Sequence, residues 1–88
     1  MEKIRGHRTL TQAEMNLINS IKSHGVLLEG LLQEVERHLR QQREGAITPV
    51  ELKRLDDAEP GKWMDRAKAH FQEGLMGLSR AVAQPELF

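Results

Sequence analysis

The stretch Thr11-Gln-Ala-Glu-Met-Asn-Leu-Ile-Asn-Ser-Ile-Lys-Ser-His-Gly-Val-Leu-Leu-Glu-Gly-Leu-Leu-Gln-Glu-Val-Glu-Arg-His-Leu39 decides the fold. It opens on a capping box, Thr11-x-x-Glu14, in which a hydroxyl and a carboxylate satisfy the free amides at a helix start. Apolar or small residues then recur at Ile18, Ile21, Gly25, Leu28, Leu32, Val35 and Leu39. Spacing that alternates between three and four is a heptad seam, the mark of a helix laid along another helix. Leu17, Leu27 and Leu31 widen the stripe, which suits burial on more than one side. Gly25 interrupts the helix interior and is a candidate kink, or a place where a partner backbone comes close. The spacing predicts one long helix over 12–43.

Downstream, Gly45 is positioned to end that helix as a left-handed cap. Thr48-Pro-Val-Glu51 repeats the start signal, with Thr as N-cap, Pro at the first helical position and Glu three residues on. It opens a short segment over about 49–57. Asp56-Asp-Ala-Glu59 and then Pro60-Gly61 mark a break, although Pro60 can equally begin the next helix. The final helix is expected over 61–83, ending before Pro85, with an apolar stripe of Trp63, Ala67, Phe71, Gly74, Leu78 and Ala81 and with Val82 beside it. Upstream, residues 1–9 are polar and charged and read as an arm. The expected fold is all-α: one domain, 1–88, an antiparallel helical hairpin with a short extra helix in the 44–60 connection. Leu27, Leu31, Met64, Leu75 and Met76 fall outside a single seam, so self-association is the simplest way to cover them. Gly74 and Gly77 each cost about 1 kcal/mol relative to Ala inside a helix, which calls for close approach by another helix or by a ligand. A helix-packing groove is the plainer of those two explanations.

Composition narrows the function classes. Eighty-eight residues allow one domain with a marginal core. There is no Cys, which removes disulfides, thiolate nucleophiles and Cys-based zinc sites together. Thirteen basic residues balance thirteen acidic ones, unlike a protein that coats DNA or RNA. A small anionic ligand held by a few local cations remains compatible with that balance. No apolar run approaches the ~18 residues of a membrane span, and the N-terminus lacks the apolar core of a signal peptide. A soluble, intracellular protein is expected, with no membrane partner.

Catalysis finds little support in the residues. Ser20, Ser23 and Ser79 lie inside helices with no strand-to-helix turn to present them. His24, His38 and His70 lack the helical spacing of a metal site and read as scattered surface histidines. No cofactor or metal is expected, and no catalytic residue. Met64, Phe71 and Met76 at helical spacing read as core rather than as a cofactor box. The charge runs 34–43 and 53–57 read as solvated faces carrying pairs such as Glu36–Arg40. The more pointed feature is His7 and Arg8, just ahead of the capping box, with Asn19 and Lys22 one turn apart on the first helix. An imidazole can stack on a base and a cation can neutralise a phosphodiester. By spacing alone, a basic N-terminus over a solvated helix explains these residues as well.

Three segments also carry a family resemblance. Gly-His-Arg-x-Leu-Thr-x-x-Glu at 6–14, Ile-Asn-x-Ile-Lys at 18–22, and the run from Trp63 through Phe71-Gln-x-Gly-Leu-Met-x-Leu-x-Arg-Ala-Val-Ala-x-Pro85 to Phe88 resemble the phage anti-CBASS cyclic-oligonucleotide sponges. The same helical hairpin occurs in anti-Thoeris sponges. The resemblance leaves out residues 1–5 and the 42–60 connection. It implies a compact all-helical homohexamer that binds host-made cyclic dinucleotides between protomers, with cyclic trinucleotides in separate pockets. It also implies binding without hydrolysis, in the host cytoplasm. The family's arm aromatic falls on His7, implying base stacking, and its first-helix lysine on Lys22, implying phosphate contact, with Arg8 and Asn19 as helpers. The trinucleotide pocket falls near Lys68 and Gln72. Two departures stand out: His7 offers a smaller stacking face than the usual Tyr and can titrate, and Ala69 stands where relatives often carry Thr, which removes a hydroxyl donor. Two rival readings are a helical oligomer that binds another protein through its apolar back, and a sponge for the cyclic ADP-ribose signal of the Thoeris pathway.

Overall fold

The structure is a computed structural model and describes residues 9–85. His7 and Arg8 lie outside the described residues. Three helices follow in order: α1 over Gln12–Gly45, α2 over Pro49–Ala58 and α3 over Pro60–Ala83. The capping box forms as read: the Glu14 amide donates to Thr11 Oγ1 at 3.1 Å and the Thr11 amide to Glu14 Oε1 at 2.8 Å. Thr48 caps α2, accepting from the Glu51 amide at 3.2 Å. The Glu51 carboxylate turns away from that cap and takes a two-pronged contact from Arg54, at 3.0 and 2.6 Å. This partner holds the Glu51 carboxyl below its usual range and the Arg54 guanidinium above its own.

Two expectations about chain punctuation need correcting. Gly45 is the last residue of α1 rather than a left-handed cap, and the helix ends on an extended Ala46 whose amide donates to the Arg43 carbonyl. The left-handed backbone sits instead at Glu59, φ 51°, and at Gln84, φ 47°. Glu59 alone separates α2 from α3, with Pro60 as the first residue of α3. This confirms the alternative in which Pro60 begins the helix, since its missing amide costs nothing at that position. Gln84 closes α3 just before Pro85, through its amide to the Arg80 carbonyl at 2.8 Å.

The long helices α1 and α3 pack against each other as an antiparallel hairpin. α1 runs unbroken through Gly25, where a Cβ would lie 3.3 Å from Leu75 Cδ1. Gly25 is therefore the point where the α3 partner comes close. The α1 seam is largely as read: Ile18, Ile21, Gly25, Leu28 and Leu39 are half-buried and Leu32 is buried. Val35 is the exception. It faces outward, and Glu36 faces α3 in its stead and pairs with Lys68 instead of Arg40. Arg43 joins the end of α1 to α2 through Asp56 at 2.5 Å.

The stripe expected on α3 is displaced. The residues turned toward α1 are Met64, Ala67, Lys68, Leu75, Ser79 and Val82, all half-buried. Trp63, Phe71, Gly74, Leu78 and Ala81 fall on the exposed side. One residue along a helix is a turn of about 100°, so the two sets lie on adjoining faces of one broad apolar surface. Arg66 caps the outer face of Trp63 at 5.2 Å, a cation–π contact that suits an exposed ring.

Buried apolar residues are scarce. Among the described residues only Leu32 and Leu55 count as core, at 8% and 4% exposed. Twelve large apolar residues are exposed, including Val26, Leu27, Leu31, Met76 and Leu78. The chain extends 64 × 21 × 14 Å with a radius of gyration of 19.5 Å, against about 12 Å for a compact globule of this length. Met64 and Leu75, expected to be surplus, are used within the hairpin, whereas Leu27, Leu31 and Met76 remain uncovered.

Candidate ligand grooves between the two long helices

Two neighbouring grooves open where α1 meets α3. Their shared wall is Gly25 and Leu75, the closest approach of the two helices. A side chain larger than hydrogen at position 25 would push into both.

The first groove, about 150 Å³, holds Lys68 and Gln72 from α3 with Glu29 from α1, over a floor of Leu28, Leu32 and Phe71. Its charge is compensated. Lys68 is paired to Glu36, and the hydrogen bond from that carboxylate holds the Lys68 ammonium above its ordinary pKa. Lys68 and Gln72, singled out together from the sequence, do share this wall. An anionic ligand entering here would meet Glu29 and would compete with Glu36 for the ammonium.

The second groove, about 360 Å³, is lined from α1 by Ile21 and Lys22 and from α3 by Met76, Ser79 and Arg80. Its described lining carries two cations, one from each helix, and no carboxylate. Lys22 makes no ion pair among the described residues. The floor is apolar and the rim polar, which suits a flat ligand with an anionic edge. Asn19 lies one turn before Lys22, exposed, with its backbone carbonyl taken by Ser23 at 3.1 Å. It is not part of the groove lining. Sequence reasoning missed Met76, Ser79 and Arg80 as neighbours of Lys22. A signal existed, because 76, 79 and 80 follow helical spacing, but the register of α3 against α1 had to be known to use it.

A third, wholly different surface flanks α3 on its far side, about 390 Å³, between His70, Phe71, Gly74 and Leu78 with Leu28 at its edge. Nothing lies within 4 Å of a Cβ built on Gly74 or Gly77. The helix-packing groove expected at these glycines is therefore not made by α1. In dilute protein, Gly74→Ala and Gly77→Ala should each raise helicity, by up to about 1 kcal/mol of propensity. A fall in helicity by circular dichroism would show a close neighbour that does not belong to this chain.

Among the described residues no group of three or more His, Asp or Glu is placed to hold a metal ion, and no helix is long and apolar enough to cross a membrane. Fold and grooves together define an α-helical hairpin that carries its polar chemistry in surface clefts between two helices. No protein-family model matches the sequence. The chain is 38% identical, over an alignment of 100 positions, to Anti-CBASS protein 2 of Pseudomonas phage JBD67, covering 96% of this chain and 93% of that protein. The chain belongs to the anti-CBASS protein 2 family.

Proposed function

We propose that this protein is a non-catalytic sponge, which binds and sequesters cyclic dinucleotides and thereby blocks CBASS-type signalling in the cytoplasm of an infected bacterium. Kinship with a phage protein named for opposing CBASS supports the antagonist role. The observation that carries the ligand class is the Lys22 groove, with its apolar floor, cationic edge and no carboxylate. A cyclic dinucleotide has two flat bases and two phosphodiester charges, so it needs stacking surfaces and a few cations rather than a nucleophile. Base–aromatic stacking contributes about 1–3 kcal/mol per base. A charge-assisted hydrogen bond adds about 1.5–3 kcal/mol. Cyclic trinucleotides are further ligands, at the Lys68–Gln72 groove.

Self-association belongs to the same reading. Exposed Leu27, Leu31 and Met76 and the open Gly74–Gly77 face supply the surface to be buried, and six copies is the number the family resemblance implies. Two symmetry-related copies could then each bring one arm and one Lys22 to a single two-fold ligand.

Calorimetry against a panel of cyclic di- and trinucleotides tests the ligand. At least one should bind tightly, and a loaded complex that is heat-denatured should release it intact by chromatography. A linear product would mean an active site, and a stable monomer by light scattering would remove the shared pocket. The exposed apolar surface also favours a second reading, a helical module that binds another protein without any nucleotide. Failure of the whole panel, with a cyclic ADP-ribose included for a Thoeris-type signal, would select it.

A further inference from the structure

We infer that Arg80 is the second phosphate-binding cation of the cyclic dinucleotide site, working across the groove from Lys22. This rests on the sponge reading above and extends it from α1 to α3. Lys22 and Arg80 come from sequence positions far apart and meet on one cleft only because α3 runs antiparallel to α1. The neighbouring cleft shows what an ordinary structural cation looks like in this fold: Lys68 has Glu36 on its ammonium and Glu29 on the same wall. The described lining of the Lys22–Arg80 cleft offers no such carboxylate.

The two cations differ in what they can do. An ammonium is a compact point charge, whereas a guanidinium presents a planar fork that can grip two phosphate oxygens at once. Between them lie Ile21, Leu75 and Met76, an apolar floor on which a ribose or the edge of a base can rest, with the Ser79 hydroxyl one residue from the guanidinium. Arg80 also stands in the last turn of α3, where a cation steadies the helix dipole. The test has to separate that service from ligand contact.

Three variants do so: Arg80→Gln, Arg80→Lys and Lys22→Ala. Each is titrated by calorimetry with cyclic di-GMP, cyclic di-AMP and 3′,3′-cyclic GMP–AMP at two salt concentrations, with helicity and mass recorded alongside. Arg80→Gln should weaken the tightest of the three by roughly ten- to hundred-fold and flatten the salt dependence, as removal of one ionic contact does. Arg80→Lys should retain part of the affinity, since it keeps charge but loses the fork. A role confined to the helix end predicts something else: a lower melting temperature for Arg80→Gln with affinity and salt slope unchanged, and that result overturns the inference. If the parent chain binds one of the three and Lys22→Ala weakens it while Arg80→Gln does not, the sponge reading stands and only the Arg80 assignment falls. If the parent binds none of them, the ligand reading fails and takes this assignment with it.

Discussion

Leu32→Ala should cost the hairpin about 2–5 kcal/mol, the usual penalty for truncating a buried leucine to alanine. A single core of this size rarely supplies more than about 3–5 kcal/mol in all, so one substitution removes most of what holds α1 to α3. Leu32 is one of just two buried apolar residues described, and it lies beneath the Lys68–Gln72 groove. The expected result is a large fall in the urea midpoint, with much of the helical signal gone at room temperature. Leu31→Ala is the comparison. Its side chain is exposed, so in dilute protein it should shift stability by no more than about 0.5 kcal/mol. Any loss from Leu31→Ala that grows with protein concentration reports burial between copies. An unchanged midpoint for Leu32→Ala would show that the hairpin is held elsewhere.

Lys22→Ala and His7→Ala should each weaken cyclic dinucleotide binding by about 1–3 kcal/mol, or roughly ten- to hundred-fold. Neither should change helicity or mass, because Lys22 is exposed on α1 and His7 precedes the helix. His7→Tyr is the sharper variant. It should keep or improve affinity where stacking is the role, and abolish it where an imidazole hydrogen bond is. Unchanged affinity in both alanine variants would place the pocket elsewhere and sink the assignment of these two residues.

How far the sequence carries depends on whether a signal is local. The capping box at Thr11 and Glu14, the Thr48–Pro49 start and the Pro85 stop were legible because each is a bargain struck within a few residues. The α1 seam was legible because one face of a long helix repeats it many times. The α3 face was not, because Trp63, Phe71 and Leu78 are bulkier than Met64, Lys68 and Ser79, and bulk was taken for burial. Tertiary register decided otherwise, with Leu75 settling against Gly25. Glu36 likewise had two partners within reach, Arg40 along its helix and Lys68 across, and only the docked hairpin selects between them. The grooves are a product of that same register. Lys22 was legible as a candidate through resemblance, while its neighbours Met76, Ser79 and Arg80 required α3 to be in place.

The junction at Glu59 gives this last point a mechanical form. A single left-handed residue joins Ala58 to Pro60, so there is no slack with which α3 could adjust its roll. Since each residue advances a helix by about 100°, losing or gaining one position at this joint would present a different side of α3 to α1. Trp63, Phe71 and Leu78 would swing inward, and Lys68 and Ser79 would leave the clefts they line. Length at this joint is therefore a selector switch: the same α3 sequence can offer a cleft or a greasy contact strip, and one residue of linker determines which side does which.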